Sequence, residues 1–353
     1  MRSLGKSGLT ASEIGLGLAA IGRPGYITLG RDRDLPADRT VEAMRRQAHE
    51  LLDAAYADGV RYFDAARSYG LAEDFLATWL DRRGLHSGTG PDDVTVGSKW
   101  GYRYTADWRV GAEVNEVKDH SLAHLRSQLA ESRALFGERL GLYQIHSATL
   151  ESGVLEDREV LDELRRMKSE GLAVGLTVSG PKQADVIRRA IEISAGGARL
   201  FDTVQATWNL LETSAGPALA EAKAAGLGVI VKEALANGRL VAGAGGGVGA
   251  GPGAAGAVPA AAPAAAPAPL PEVAPLVQVS ARLKATQDAV AIAAALAQPW
   301  SDVVLSGAVT PSQIESNVAA ANLTLGPADL AALSALVEPP DKYWTTRSAL
   351  PWT

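Results

Sequence analysis

Alternation is the feature that most narrows what this chain can fold into. Short β-rich runs are followed, one after another, by helical stretches. The pairs read as strand 13–17 with helix 40–58, strand 60–64 with helix 72–80, and strand 94–98 with helix 113–135. Strand 140–145 precedes helix 157–170, strand 173–178 precedes helix 183–193, and strand 201–205 precedes helix 215–225. Strand 227–231 precedes, after a gap, helix 286–297, and strand 302–305 precedes helix 311–321. Gly59, Gly137, Gly171 and Gly226 fall just past helix ends, where a left-handed cap suits glycine. Consecutive βα units in this number predict an α/β fold, a (β/α)8 TIM barrel, rather than an open sheet.

One segment interrupts the pattern. Residues 242–276 are almost entirely Gly, Ala and Pro. Such a composition buries too little side chain to offset its ordering entropy, so a flexible insertion on a βα loop is expected within one barrel domain, 1–353. A βα loop lies on the active face, so the same segment is also a candidate lid. The tail, 338–353, carries Tyr343, Trp344 and Trp352, aromatics expected to pack on the barrel and border a pocket.

Bulk properties exclude several functions. The 353 residues are 47% hydrophobic, enough for a large core. A net charge of -6 argues against nucleic acid or an anionic membrane as partner. The absence of cysteine removes disulfides, thiolate catalysis and cysteine metal sites together. No stretch has the roughly 18 apolar residues of a membrane span, and the first residues lack a signal-peptide apolar run. The expectation is a soluble, cytoplasmic protein.

In a barrel, catalytic groups come from the C-terminal ends of several strands. The second strand ends in Asp64, with Tyr69 shortly after; the third delivers Lys99 and the fourth His146. A carbonyl accepting hydride becomes an alkoxide and needs a proton. A phenol, with a reference pKa of about 10, is a weak acid at neutral pH, and a nearby ammonium should lower that value. A carboxylate beside the lysine keeps it charged in a partly buried site. A histidine can bond and orient the carbonyl oxygen. Positioned acid catalysis of this kind contributes about 10²–10⁴-fold.

Other features carry less. Gly15-Leu16-Gly17 with Gly22 has the spacing GxGxxxxG, not the dinucleotide fingerprint. His120 and His124, four apart beside Asp119, suit a metal by spacing but lack a third ligand, so they read as a solvated helix face. Trp100, Tyr102, Tyr104 and Trp108 share one long loop, with Trp100 and Tyr102 taken as substrate-lining candidates.

The motifs GVRYFDAARSYG (59–70), VGSKWG (96–101), LGLYQIHS (140–147) and GLAVGLTVSG (171–180) resemble, in this order, those of the aldo-keto reductase superfamily. VQATWNLLE (204–212), GLGVIVKEALANGRL (226–240) and SGAVTPSQIESNVAA (306–320) continue the series, and LGKSGLTASEIGLG (4–17) looks like its opening hairpin and first strand. The resemblance implies a barrel that binds NADPH, or NADH, across its C-terminal face. It makes Asp64, Tyr69, Lys99 and His146 a catalytic tetrad, with Tyr69 as general acid/base. It places Ser179 and Gln205 on the nicotinamide carboxamide, Ala234, Leu235, Gly238 and Arg239 at the pyrophosphate, and Gly307, Gln313 and Asn317 at the adenosine end. Gly17 lies on the cofactor side of the first strand. Gly180 stands where the family usually has asparagine, and Lys232 where many relatives stack an aromatic ring on nicotinamide; Trp208 is the nearby aromatic that could supply such surface to cofactor or substrate.

The leading expectation is therefore an NADP-dependent carbonyl reductase or alcohol dehydrogenase acting on a small-molecule carbonyl or alcohol. The alternatives are an NAD(P)-dependent sugar (aldose) dehydrogenase working oxidatively and a low-turnover, cofactor-binding regulatory subunit. No sequence feature marks a partner interface or an oligomeric state.

Overall fold

The computed structural model describes residues 1–88, 90, 92–195, 197–241 and 273–353. Eight parallel strands close into a barrel: β1 (Ile14–Gly17), β2 (Tyr62–Asp64), β3 (Thr95–Trp100), β4 (Leu140–Ala148), β5 (Ala173–Val178), β6 (Thr203–Thr207), β7 (Gly228–Lys232) and β8 (Val303–Ser306). They neighbour one another in chain order, and β8 pairs with β1 to close the ring. Helices α1 (Val41–Ala57), α2 (Ala72–Arg83), α3 (Leu122–Phe136), α4 (Arg158–Ser169), α5 (Gln183–Glu192) and α6 (Gly216–Ala224) follow the first six strands. Then come α7 (Ala274–Leu283), α8 (Gln287–Leu296), α9 (Pro311–Ala319), α10 (Pro327–Leu333) and α11 (Pro340–Ser348). The expected barrel is observed, strand by strand.

Caps explain where several helices start. Thr40, Ser121, Asp157 and Thr286 each accept a bond from a first-turn N–H with the side chain, satisfying a donor the helix itself leaves open. The third helix differs from its expected start at 113. Glu116–Lys118 instead pairs antiparallel with Tyr102–Tyr104, and Ser121 opens the helix only after that hairpin. An apolar period cannot separate a helical turn from a short edge ribbon whose partner lies ten or more residues away. The Gly/Ala/Pro segment was expected to reach 276, but Ala274 already begins α7; residues 242–272, with the lid expectation attached to them, lie outside the described residues. The tail is largely helical as α11, with Tyr343 and Trp344 buried.

The two ends of the barrel are sealed differently. An N-terminal hairpin (Arg2–Ser3 with Thr10–Ala11) plugs the end where strands begin. Leu4 and Ala11 pack there with Leu142, Ile230 and Val303, and Lys6 N bonds Gly226 O at 2.9 Å. The opposite rim is built from loops. Leu71 N bonds Gly22 O at 2.8 Å, and a Cβ on Gly22 would stand 2.5 Å from the Tyr69 carbonyl oxygen and against Ala72. Only glycine allows the loop after β1 to lie this close to the turn that carries Tyr69. Gly22→Ala should therefore displace that turn, costing roughly 1–3 kcal/mol by overpacking against backbone. A lowered denaturant midpoint with an unchanged m-value checks this.

Candidate active site

The chemistry-bearing side chains gather at the C-terminal rim. Register sets Asp64 at the end of β2 beside Gly97 of β3, with Lys99 two residues further along. Lys99 donates to Asp64 Oδ2, and also to the Ala65 carbonyl at 2.8 Å; both side chains of the ion pair are essentially buried. The other carboxylate oxygen, Oδ1, accepts from Tyr62 Oη (3.2 Å), Gln144 Nε2 (3.3 Å) and Gln205 Nε2 (3.0 Å). A buried charge pair is tolerable only when its remaining sites are bonded like this.

Above that pair sit Tyr69 and His146. Tyr69 Oη lies 3.3 Å from His146 Nε2, and Ser68 Oγ lies 3.3 Å from His146 Nδ1. Lys99 Nζ is 4.6 Å from the Tyr69 ring centroid, and the guanidinium of Arg23 is 5.2 Å from it. Burial, reinforced by Lys99 and Arg23, pushes the His146 imidazolium well below its ordinary range, so the ring is neutral near pH 7. Burial also pushes the Tyr69 phenol well above 10, with Asp64 adding to the rise and Arg23 opposing it. A lysine beside a phenol is expected to lower it. In the folded chain burial and the Asp64 carboxylate, which is paired with Lys99, raise it instead.

A second charged group borders the rim at β6 and β7. Lys232, in register with Thr207, donates to Thr207 Oγ1 at 2.8 Å. Burial, with Arg347 and Lys99, pulls its ammonium down to about 8 against the opposing pull of Glu233. Glu233 is bound through both carboxylate oxygens by Arg347 of α11. Burial alone would raise this carboxyl; Arg347 and Lys232 override it and hold it at about 2. Asn209 Nδ2 bonds both the Glu233 carbonyl (3.0 Å) and Tyr343 Oη (2.9 Å), which fastens the tail to this strand end.

The residues expected to meet a cofactor are spread along the same rim. Gly17 is in register with Asp64, and Ser179 follows β5, partly exposed. Ala234, Leu235 and Gly238 lie in the turn after β7, where Leu29 N bonds Asn237 O at 3.0 Å. Arg239 gives Nη2 to both oxygens of Glu338 (3.0 and 2.9 Å), in a buried pair. Gly307 is exposed after β8. Gln313 Nε2 donates to Asp34 Oδ2 at 2.8 Å, and Asn317 Nδ2 to Asp288 Oδ2 at 2.7 Å.

Of the aromatics, Tyr102 faces the chemistry, its ring 4.9 Å from that of His146. Trp100 is fully buried, edge-on to His120, and Trp208 packs against Trp300. His120 is not on a solvated helix face: it precedes α3 and bonds the His146 carbonyl at 2.9 Å. No group of three metal-ligating side chains occurs among the described residues. Sequence reasoning missed Arg23, a lone arginine in a Gly/Pro loop, now buried with Tyr26 and Trp352 rings each 4.8 Å from its guanidinium. It also missed Ser68, although that residue lies inside the quoted 59–70 motif.

The Glu233–Arg347 contact has a pH signature. A carboxyl held at about 2 contributes stability that is complete above its unfolded value near 4.5 and lost as pH falls toward 2. Glu233→Gln should lower stability at pH 7 by about 3 kcal/mol, since it leaves a largely buried cation unpaired. Its stability should also fall less steeply than that of the wild type between pH 4.5 and 2, as read by thermal melts across that window.

Over 168 residues the chain is 27% identical to an uncharacterized oxidoreductase of Bacillus subtilis (strain 168); the match covers 47% of this chain and 44% of that protein. The chain thus spans under half the length of the curated relative it matches. Its fold resembles the holo form of an aldo-keto reductase from Bacillus halodurans, with TM-score 0.63, 20% identity, and 96% of each chain covered. It also resembles a glycerol dehydrogenase from Gluconobacter oxydans, with TM-score 0.65, 20% identity, and 92% of this chain and 91% of that one covered. The model of the Aldo/keto reductase family matches residues 13–338, and the chain belongs to that family.

Proposed function

We propose that this protein moves a hydride between a nicotinamide dinucleotide and a carbonyl/alcohol pair, with Tyr69 as the general acid of reduction and the general base of oxidation. The observation that carries the reading is the contact of Tyr69 Oη with His146 Nε2 above the buried Lys99–Asp64 pair. A substrate oxygen lodged between the phenol and the imidazole would meet two hydrogen-bonding groups at the rim. The raised phenol keeps its proton at neutral pH, as an acid for reduction requires. His146, neutral, can orient the oxygen without competing as the proton source. Arg23 supplies positive charge beside the phenol as its proton leaves, Lys99 Nζ lies 4.6 Å from the centroid of the same ring, and Asp64 holds Lys99 in place.

The residues present fit a nicotinamide dinucleotide. Arg239 Nη1 is buried without a partner among the described residues, a donor suited to a diphosphate, and a Cβ on Gly307 would meet open space. Ser179, Gln205 and Lys232 would hold the nicotinamide end, Ala234, Leu235, Gly238 and Arg239 the diphosphate, and Gly307, Gln313 and Asn317 the adenosine, with Gly17 on the cofactor side of β1. The cofactor, when bound, supplies or takes the hydride. Tyr102 lines the substrate side; Trp100 and Trp208 are buried packing against His120 and Trp300.

Family membership favours NADP(H). A specific observation favours the second reading, NAD(H): Asp34 and Asp288 stand directly on Gln313 and Asn317, and carboxylates repel a 2′-phosphate. Fluorescence titration with NADPH and NADH decides between them, a tenfold preference corresponding to about 1.4 kcal/mol. For the chemistry, the protein with cofactor and a panel of aldehydes, ketones and aldoses should change absorbance at the nicotinamide band. Tyr69→Phe should lower kcat by about 10²–10⁴-fold while cofactor affinity stays near that of the wild type. Undiminished turnover in that variant would remove Tyr69 from its role. Cofactor binding with no turnover on any substrate would favour the regulatory reading instead.

A further inference from the structure

His146 reaches Tyr69 because the strand that carries it is irregular. The ladder between β4 and β5 pairs Ile145 with Leu176 and next pairs Ala148 with Val178, leaving residues 146 and 147 unmatched. Ser147 sits in the left-handed region at φ 54°, uncommon for a residue with a side chain. Such a conformation persists only where surrounding contacts over-determine it. Here the contacts are side chains. His120 Nε2 bonds the His146 carbonyl at 2.9 Å, Ser147 N donates to Thr177 Oγ1 at 2.7 Å, and Lys118 Nζ donates to the Ser147 carbonyl at 2.9 Å.

The fold makes room for His120 in particular. Gly101, at φ 120°, lies where a Cβ would come 2.6 Å from His120 Nε2. The imidazole also meets the Trp100 ring edge-on, centroids 5.5 Å apart. A carbonyl can only accept, so Nε2 must carry the proton, and Nδ1 is left buried without a partner among the described residues. Burial holds this ring at about 4, so it is neutral across the working pH range.

We infer that His120 is a positioning residue for the hydride-transfer site, fixing the bulged backbone at residues 146 and 147, together with Thr177 and Lys118, so that the His146 imidazole stays aimed at Tyr69. The inference rests on the proposed role of His146, and it assigns to the hairpin–α3 junction a function beyond covering the rim. The hydrogen bond of His120 goes to the main-chain oxygen of His146 and not to its imidazole.

The test uses the full-length protein with its imidazole carbons labelled. The chain has five histidines, so the His146 resonance is identified by its loss in His146→Ala. His120→Ala should shift or broaden that resonance and lower kcat by at least ~10-fold with little change in KM, as expected when a reacting contact is misplaced. His120→Gln, whose amide can donate to the same carbonyl, should recover most of the loss. In a His146→Ala background, His120→Ala should cost nothing further, whereas a merely structural residue would lower activity in both backgrounds alike. Thr177→Val, nearly isosteric, should disturb the same resonance and serves if His120→Ala fails to fold. An unmoved His146 signal in folded His120→Ala or Thr177→Val overturns the inference, as does an equal loss in both backgrounds. Absence of turnover in the wild type would instead count against the proposed reaction, with the resonance still judging the role of His120.

Discussion

The buried pair of Lys99 and Asp64 is the contact on which the rim depends. An ammonium and a carboxylate out of water are each costly, and together they are stable only if every remaining site is bonded. Tyr62 on β2, Gln144 on β4 and Gln205 on β6 converge on the same carboxylate oxygen, so strands on opposite sides of the barrel share one acceptor. This ties the polar layer just beneath the rim into one network. Removing any donor leaves a buried charge less satisfied, which is why the layer is expected to be rigid.

That rigidity sets the electrostatics above it. Burial and the Asp64 carboxylate, which is paired with Lys99, raise the phenol of Tyr69, which keeps its proton. Burial, with Lys99, Arg23 and Lys232 adding to it, holds His146 neutral. The tail contributes as well: Arg347 of α11 grips Glu233 beside Lys232, and Trp352 covers Arg23. The C-terminal segment is thus part of the charge balance of the rim as well as a wall beside it.

Much of the barrel was legible because its signals are local. Glycine stops such as Gly59 and Gly171 act within one turn, and strand runs such as 173–178 are bounded by Gly171 and Gly180. The convergence of Asp64, Tyr69, Lys99 and His146 on one rim was legible because strand ends have a known direction in a barrel. The hairpin at 102–118 was not, since its pairing partner lies across a loop and its apolar pattern imitates a helix. Nor was Arg23, whose surroundings come from residues 26, 69, 116 and 352.

The sequence by itself determined the βα alternation, the closed parallel barrel, and the four residue types at three strand ends. Those follow from periodicity, capping and turn chemistry, which act over a few residues. Tertiary structure alone decided that the phenol is raised rather than lowered, that Arg239 pairs with Glu338, and that Gln313 and Asn317 stand on carboxylates. It also decided that His120 holds the backbone of His146. Charge and hydrogen bonding inside a protein depend on what lies within a few ångströms, and in a barrel those neighbours come from distant parts of the chain.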